Sequence, residues 1–435
     1  MGYTGVKPMA LAERIPQVTG LQCVICGKLY SLDDLTYTCP DCGQVGTLDV
    51  VLNPAVIWAN RQNPDQPRPN VWDEERFLPI AVDMPKPSQT IPLPIGGTPY
   101  YPRVPEGDRW RLPRQYGVKD DGKNPTGSFK DRASAMVVHH ALTIGAPVVA
   151  TASTGNAAAA LSGICASIPQ IQAVIFVPAA APPAKIAQLL VYGAKVILVD
   201  GPYDDAFDIC WEACQEFGWY NRSTGVNPFT SEGKKTIAWE IGFSGYEMPD
   251  AVFISVGDGS IIGSTYKGFA DLKKLGWIER FPRIIGVQSE GSAALVRAWE
   301  NNLDPREMTP QPADTLADSI SASLPRDRAK ALRAVRESGG AFIAVPDSEI
   351  LAAIPALAQQ SGVFAEPAGA TTYAGYLAAL RKGIVSQSDN VLLLNTGSGL
   401  KDIKGAMQSV SGIASQPVKP TMAAVRDAVK KFQLS

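Results

Sequence analysis

From residue 130 onward the chain alternates short apolar runs with segments of helical length. The runs read "APVVATAS", "QAVIFVP", "AKVILVD", "DAVFISVG", "PRIIGVQSE", "AFIAV" and "NVLLLNTG". Runs this short, rich in Val, Ile and Leu and spaced by enough residues for a crossover helix, predict buried parallel strands, so the fold class is α/β. Residues 54 to 113 break that rhythm, carrying 13 of the 35 prolines. No continuous helix or central strand tolerates such a density, and the segment is expected to wrap the main body as a connector. The closing "KPTMAAVRDAVKKFQLS" predicts one amphipathic helix.

Composition then narrows the class. With 435 residues, 45% hydrophobic and 19% charged, the chain can bury a large core spread over more than one domain. A net charge of −2 gives no electrostatic footprint for nucleic acid or an anionic membrane, so neither is expected as a partner. No charged-then-apolar segment opens the chain, which predicts a cytoplasmic protein. The two histidines stand side by side at His139 and His140. That leaves almost no material for a Ser-His or Cys-His dyad or a multi-histidine metal centre, so any enzyme here moves its protons with other groups.

The cysteines fall into two sets. Cys23, Cys26, Cys39 and Cys42 form C-x2-C-x12-C-x2-C in "CVICGKLYSLDDLTYTCPDCG", the spacing of a zinc ribbon. A module of roughly 25 residues cannot hold itself with a hydrophobic core, so metal would supply its folding energy. Disulfides are the competing reading, but a secreted scaffold would carry more cysteine. Four thiolates leave no open coordination position, which makes the expected Zn2+ structural. Cys165, Cys210 and Cys214 read as core thiols.

Several predicted strands end in small polar turns, the edge at which open parallel sheets bind ligands. "SVGDGSIIGS" (255 to 264) precedes a helix and can hold a phosphate or be an ordinary turn. "TASTGN" (151 to 156), "EPAGATTYAG" beginning at Glu366, and "LLLNTGSGLKD" with Thr396 and Ser398 are three more. "NPTGSFKDRAS" (124 to 134) places Lys130 beside Asp131, where it can be a phosphate clamp, a covalent hook or a solvated helix residue. A Walker loop fails, because Ser128-Phe129 stands where Lys-Ser or Lys-Thr is required.

Together with "GGTPYYPR" (96 to 103), "NP…EGKKT" (227 to 236) and "IGVQSEG" (285 to 291), these turns resemble the fold-type II enzymes that use pyridoxal 5′-phosphate (PLP), and among them the threonine synthases. The resemblance implies two open twisted α/β lobes. A large PLP-binding lobe would take residues 49–132 and 223–435, and a small lobe residues 133–222. An N-terminal extension with the ribbon-like module would occupy residues 1–48. It further implies that Lys130 is the lysine joined covalently to PLP and later the base for the α-proton, with Phe129 packed near the ring. Gly257, Asp258, Gly259, Ser260 and Ile261 would cradle the cofactor phosphate. Asn156 would reach the ring hydroxyl, Thr396 would face the pyridine nitrogen, and Ser153, Thr154, Gly155 and Asn156 would receive the substrate carboxylate. The implied reaction turns O-phosphohomoserine and water into threonine and phosphate in a homodimeric enzyme.

Departures from the family pattern bear on substrate. Where threonine synthases carry Arg and Asn-Ser for the substrate phosphate, the matching positions are Thr230, Thr224 and Gly225, and Asp258 puts a carboxylate beside a phosphate cup. Lys234, Lys235 or Arg132 can supply the lost charge. Two alternatives therefore stand beside the main reading. One is a PLP-dependent dehydratase or β-replacement enzyme acting on serine or threonine derivatives; the other is a nucleotide-binding regulatory protein with a zinc ribbon.

Overall fold

The computed structural model describes residues 9–34, 37–61, 70–108, 114–181, 183–413 and 417–432. After a short helix at Leu11–Arg14 come three antiparallel strands, β1 (Val18–Cys23), β2 (Leu29–Tyr30) and β3 (Leu48–Leu52), in the order β2-β1-β3. Both CxxC turns hang from this sheet and repeat one geometry, Gly27 N donating to Cys23 O at 3.0 Å and Gly43 N to Cys39 O at 2.9 Å. The ribbon is tied to the body by charge. Asp49 on β3 pairs with Lys330 at 3.1 Å and Arg333 at 2.5 Å.

Next come β4 (Tyr100–Tyr101) and β5 (Tyr116–Asp120), then β6 (Val148–Ala152), β7 (Gln172–Pro178), β8 (Lys195–Val199) and β9 (Tyr220–Asn221). The series ends with β10 (Ala251–Ser255), β11 (Arg283–Ser289), β12 (Ala341–Val345) and β13 (Val391–Asn395). They form two sheets. A six-stranded sheet runs β12-β11-β10-β13-β5-β4, parallel except for β4, and a parallel four-stranded sheet runs β8-β7-β6-β9. Every residue of β5, β10 and β13 is buried, as helices on both faces of a parallel sheet require. The seven apolar runs of the sequence all form strands, with one correction. "AKVILVD" is the edge strand β8, and Ile197 and Leu198 on it are exposed, because a terminal strand lacks the neighbour that would cover it.

The proline-rich segment makes only short pieces among its described residues, such as Pro54–Ala59 and Pro87–Thr90. It is more than a surface wrap, since Phe77, Leu78, Ile91 and Ile95 enter the main core. Residues 62–69 and 109–113 of that segment lie outside the described residues, as do the last three of the C-terminal stretch. The terminal helix forms at Met422–Lys431, with Met422 and Phe432 exposed. No helix among the described residues is long and apolar enough to cross a membrane.

Candidate functional site

One cavity of about 1010 Å³ opens where strand ends of the two sheets face each other, lined by Ser153 to Asn156 after β6, Gly257 to Ile261 after β10 and Thr396 after β13. Lys130, the first residue of the helix Lys130–Thr143, also lines it. Its Nζ has no partner among the described residues. Burial, with the Arg222 guanidinium adding to it, pulls the ammonium pKa down to about 8, which leaves part of the amine neutral near pH 7 and therefore nucleophilic.

The loop after β10 is an anion cup by construction. The N–H groups of Gly257, Asp258, Gly259, Ser260 and Ile261 meet no acceptor among the described residues, and they sit at the start of the helix Ser260–Lys274, where the helix dipole adds positive potential. Gly259 has φ +85°, and a Cβ there would come 2.8 Å from Ala331 Cβ and 3.0 Å from Asp327 O, so only glycine fits the turn. Behind the cup, buried Lys234 donates to Ser260 Oγ at 2.6 Å. The Asp258 carboxylate accepts the Arg326 N–H at 3.5 Å, and burial raises its pKa, which lessens its conflict with an anion.

At the second turn, the Ser153 N–H is spent on Phe176 O and the Gly155 N–H on Ser153 Oγ. The Thr154 and Asn156 N–H groups remain available among the described residues. Asn156 Nδ2 donates to both carboxylate oxygens of Glu366, at 2.9 and 3.1 Å. Burial raises the Glu366 pKa, opposed by Asn156 and by the charge of Lys130. Thr396 Oγ1 lies 3.5 Å from Ser255 Oγ. Phe129 is the one anticipated cofactor residue that does not line the cavity; it is fully buried beneath it, its N–H bonded to Thr396 O.

These features suit a cofactor carrying an aldehyde, a ring and a phosphate: an unpartnered amine, a turn ending in hydroxyls, and a cup of free N–H groups. PLP would be held by Lys130, by the loop Gly257–Ile261 and by the Thr396 turn.

Of the three cations suggested as replacements for the missing arginine, two are already engaged. Arg132 pairs with Asp121 at 2.6 Å and with Glu240 at 2.5 Å, and Lys235 with Glu232 at 2.7 Å and Asp271 at 2.9 Å. Thr230 is buried off the cavity, its hydroxyl bonded to Asn227 O. The lining instead contains Arg222 and Arg326, with Tyr203, none of which the motifs identified, and Glu366, which opens one of the predicted turns. Arg222 directly follows β9, so its place at a strand's C-terminal end was the available signal. Both histidines are buried in the helix Lys130–Thr143, away from the lining.

In the ribbon, the four Sγ atoms of Cys23, Cys26, Cys39 and Cys42 lie within 4.8 Å of one another. Cys26 and Cys39 are 3.7 Å apart. That is far beyond a disulfide bond, and it matches the edge of about 3.8 Å of a tetrahedron with metal–sulfur bonds of about 2.3 Å. The donor set fits zinc.

Comparison with known proteins agrees with this chemistry. Residues 91–397 match the family described as pyridoxal-phosphate dependent enzyme, which removes the nucleotide-binding alternative. The threonine synthase of Methanosarcina acetivorans is 36% identical over 416 residues, covering 94% of this chain and 98% of that protein. That of Methanocaldococcus jannaschii is 34% identical, covering 92% and 96%. Among solved structures, threonine deaminase isoform 2 from Solanum lycopersicum superposes with a TM-score of 0.61 at 22% identity, covering 72% of this chain and 87% of that one. An O-ureido-L-serine synthase gives 0.60 at 18%, covering 76% and 96%. At those identities the likeness shows the shared fold.

Proposed function

This chain belongs to the threonine synthase family of fold-type II pyridoxal-phosphate-dependent enzymes, and on that premise we propose that it converts O-phosphohomoserine and water into threonine and inorganic phosphate. It is a PLP-dependent enzyme of the lyase type; the phosphorylated substrate and the roles of individual residues are our reading. The observation that carries it is the charge layout of one cavity, which Lys130 shares with the cup of free N–H groups at Gly257–Ile261 and with an Arg222 guanidinium that has no ion pair among the described residues. Two groups able to hold anions share the cavity with one amine, as a phosphorylated cofactor and a phosphorylated amino acid together require.

Bound PLP supplies an electron-withdrawing ring that stabilises negative charge on the carbon beside the substrate nitrogen. The protein supplies the rest. Lys130, its pKa near 8, holds or accepts the proton from the α-carbon and returns it further along the chain of the substrate. The free Thr154 and Asn156 N–H groups, at the start of the helix Asn156–Cys165, orient the substrate carboxylate. Ile320 and Ala322 also line the cavity, Ile320 against Gly257, and limit the water that reaches the substrate. The four ribbon thiolates are read as a structural zinc site.

The displaced Thr230 favours a second reading, dehydration or β-replacement on serine or threonine derivatives. Supplying the PLP-loaded enzyme with O-phosphohomoserine, threonine, serine and O-phosphoserine in parallel separates the two. Threonine and phosphate formed from O-phosphohomoserine alone is the expected result; turnover of another amino acid with none from O-phosphohomoserine would overturn the assignment.

A further inference from the structure

Arg222 is a buried guanidinium without a carboxylate partner among the described residues, whereas Lys119, Arg132, Lys235, Lys267 and Lys330 all meet carboxylates. Its N–H is pinned to Ala150 O at 2.8 Å, Nε donates to Ser134 Oγ at 3.1 Å and Nη1 to Thr224 Oγ1 at 3.3 Å. Nη2 has no partner. A buried guanidinium is costly unless an anion faces it, and the group lines the cavity that holds Lys130.

A second arginine arrives from the other lobe at the same turn. Gly225 has φ +72°, and a Cβ there would lie 2.5 Å from Arg326 Cβ, so the absence of a side chain lets Arg326 close on Thr224–Gly225. The Arg326 guanidinium lies 3.7 Å over the Phe207 ring and also lines the cavity. The Thr224–Gly225 turn thus meets the Arg222 guanidinium at Thr224 Oγ1 and the base of the Arg326 side chain at Gly225, at the place where the family pattern would put Asn-Ser.

We propose that Arg222, with Arg326 across the turn, forms the site for the substrate's side-chain anion, a tetrahedral oxyanion of the phosphate-monoester type. The assignment rests on the reading that the enzyme takes a phosphorylated amino acid, and it relocates the grip from position 230 to position 222. The planar guanidinium offers paired donors matched to two phosphate oxygens. The free Nη2 of Arg222 and the Thr224 hydroxyl form one side and Arg326 the other.

The test is calorimetric binding of inorganic phosphate to the PLP-loaded enzyme, whose cofactor-phosphate cup is already filled, run beside turnover of O-phosphohomoserine. Phosphate is expected to bind the wild type. Arg222→Gln is expected to weaken that binding and to raise KM for O-phosphohomoserine by about 10- to 100-fold, while the visible absorption of bound PLP is retained. Thr224→Asp keeps the arginine and offers it a carboxylate, so it relieves rather than creates an unpaired charge. It is expected to abolish phosphate binding, and it serves where Arg222→Gln fails to fold. Absence of phosphate binding in the wild type, or equal binding in the folded variants, overturns the assignment. Phosphate binding that depends on Arg222 without turnover of O-phosphohomoserine would support the anion site and remove the threonine-forming reaction instead.

Discussion

Lys234 Nζ lies 2.6 Å from Ser260 Oγ, so an amine sealed in the core reaches the first turn of the helix behind the Gly257–Ile261 cup. Burial and the nearby charges of Lys130 and Arg222 push its ammonium pKa well down. An arriving phosphate would favour the charged form. Lys234→Met is therefore expected to weaken PLP binding by about 10- to 100-fold, the size of a hydrogen bond to a charged group. Fluorescence titration of the PLP-free enzyme measures it, and an unchanged Kd would remove Lys234 from the cup.

Lys130 sets a pH dependence. With a pKa near 8, its amine loses a proton as pH rises through that value, and only the neutral form attacks a carbonyl. Capture of PLP by PLP-free enzyme should accelerate about tenfold per unit between pH 6 and 7, then level off above pH 8. After borohydride reduction, peptide mapping should find the cofactor on Lys130; a label on a different lysine would refute the assignment. Lys130→Ala should lose the covalent link altogether.

The ribbon should hold one zinc per chain. Cys39→Ser is expected to release it and to expose the segment 20–47 to proteolysis, because the module has little core of its own. Elemental analysis of protein purified without added metal provides the measurement. Four intact thiols with no metal would sink the reading.

The histidines give an acid-side test. Burial lowers the pKa of His139 to about 4 and that of His140 to about 3, whereas both would titrate near 6.5 in the unfolded chain. As pH falls below 6.5 the unfolded chain takes up protons that the folded one refuses, so stability drops. Between pH 6.5 and pH 5 the loss is about 2 kcal/mol for each ring. Denaturant titrations at the two values measure it, and His140→Phe, which keeps a ring stacked on Phe229, should roughly halve the dependence, His139 supplying the rest.

The strands were legible in the sequence because a buried parallel strand leaves little choice but Val, Ile and Leu, as "NVLLLNTG" illustrates. The turns that follow them were legible because small polar residues after such a run have few other uses. Arg222 was not legible. It follows a strand of only two residues, Tyr220–Asn221, too short to leave a period, and its meaning depends on the absence of a carboxylate partner, a fact of three dimensions. The reach of Lys234 to Ser260 was hidden for the same reason, since 26 residues separate them. The exposure of β8 was hidden because an apolar run carries no mark of whether it stands at a sheet's edge.

The ribbon does more than decorate the N-terminus. Its Thr38 and Gln44 line the cavity, and Tyr37 Oη accepts the Asn221 N–H at 3.1 Å, one residue before Arg222. Part of the cavity wall is therefore built from a module whose shape, on the zinc reading, would depend on four sulfur atoms that do not themselves line that cavity. Thiol oxidation or metal theft would breach this wall while leaving Lys130 and the cup intact. The expected casualty is selectivity, since a leaky chamber admits water and smaller amino acids before it loses the capacity for chemistry.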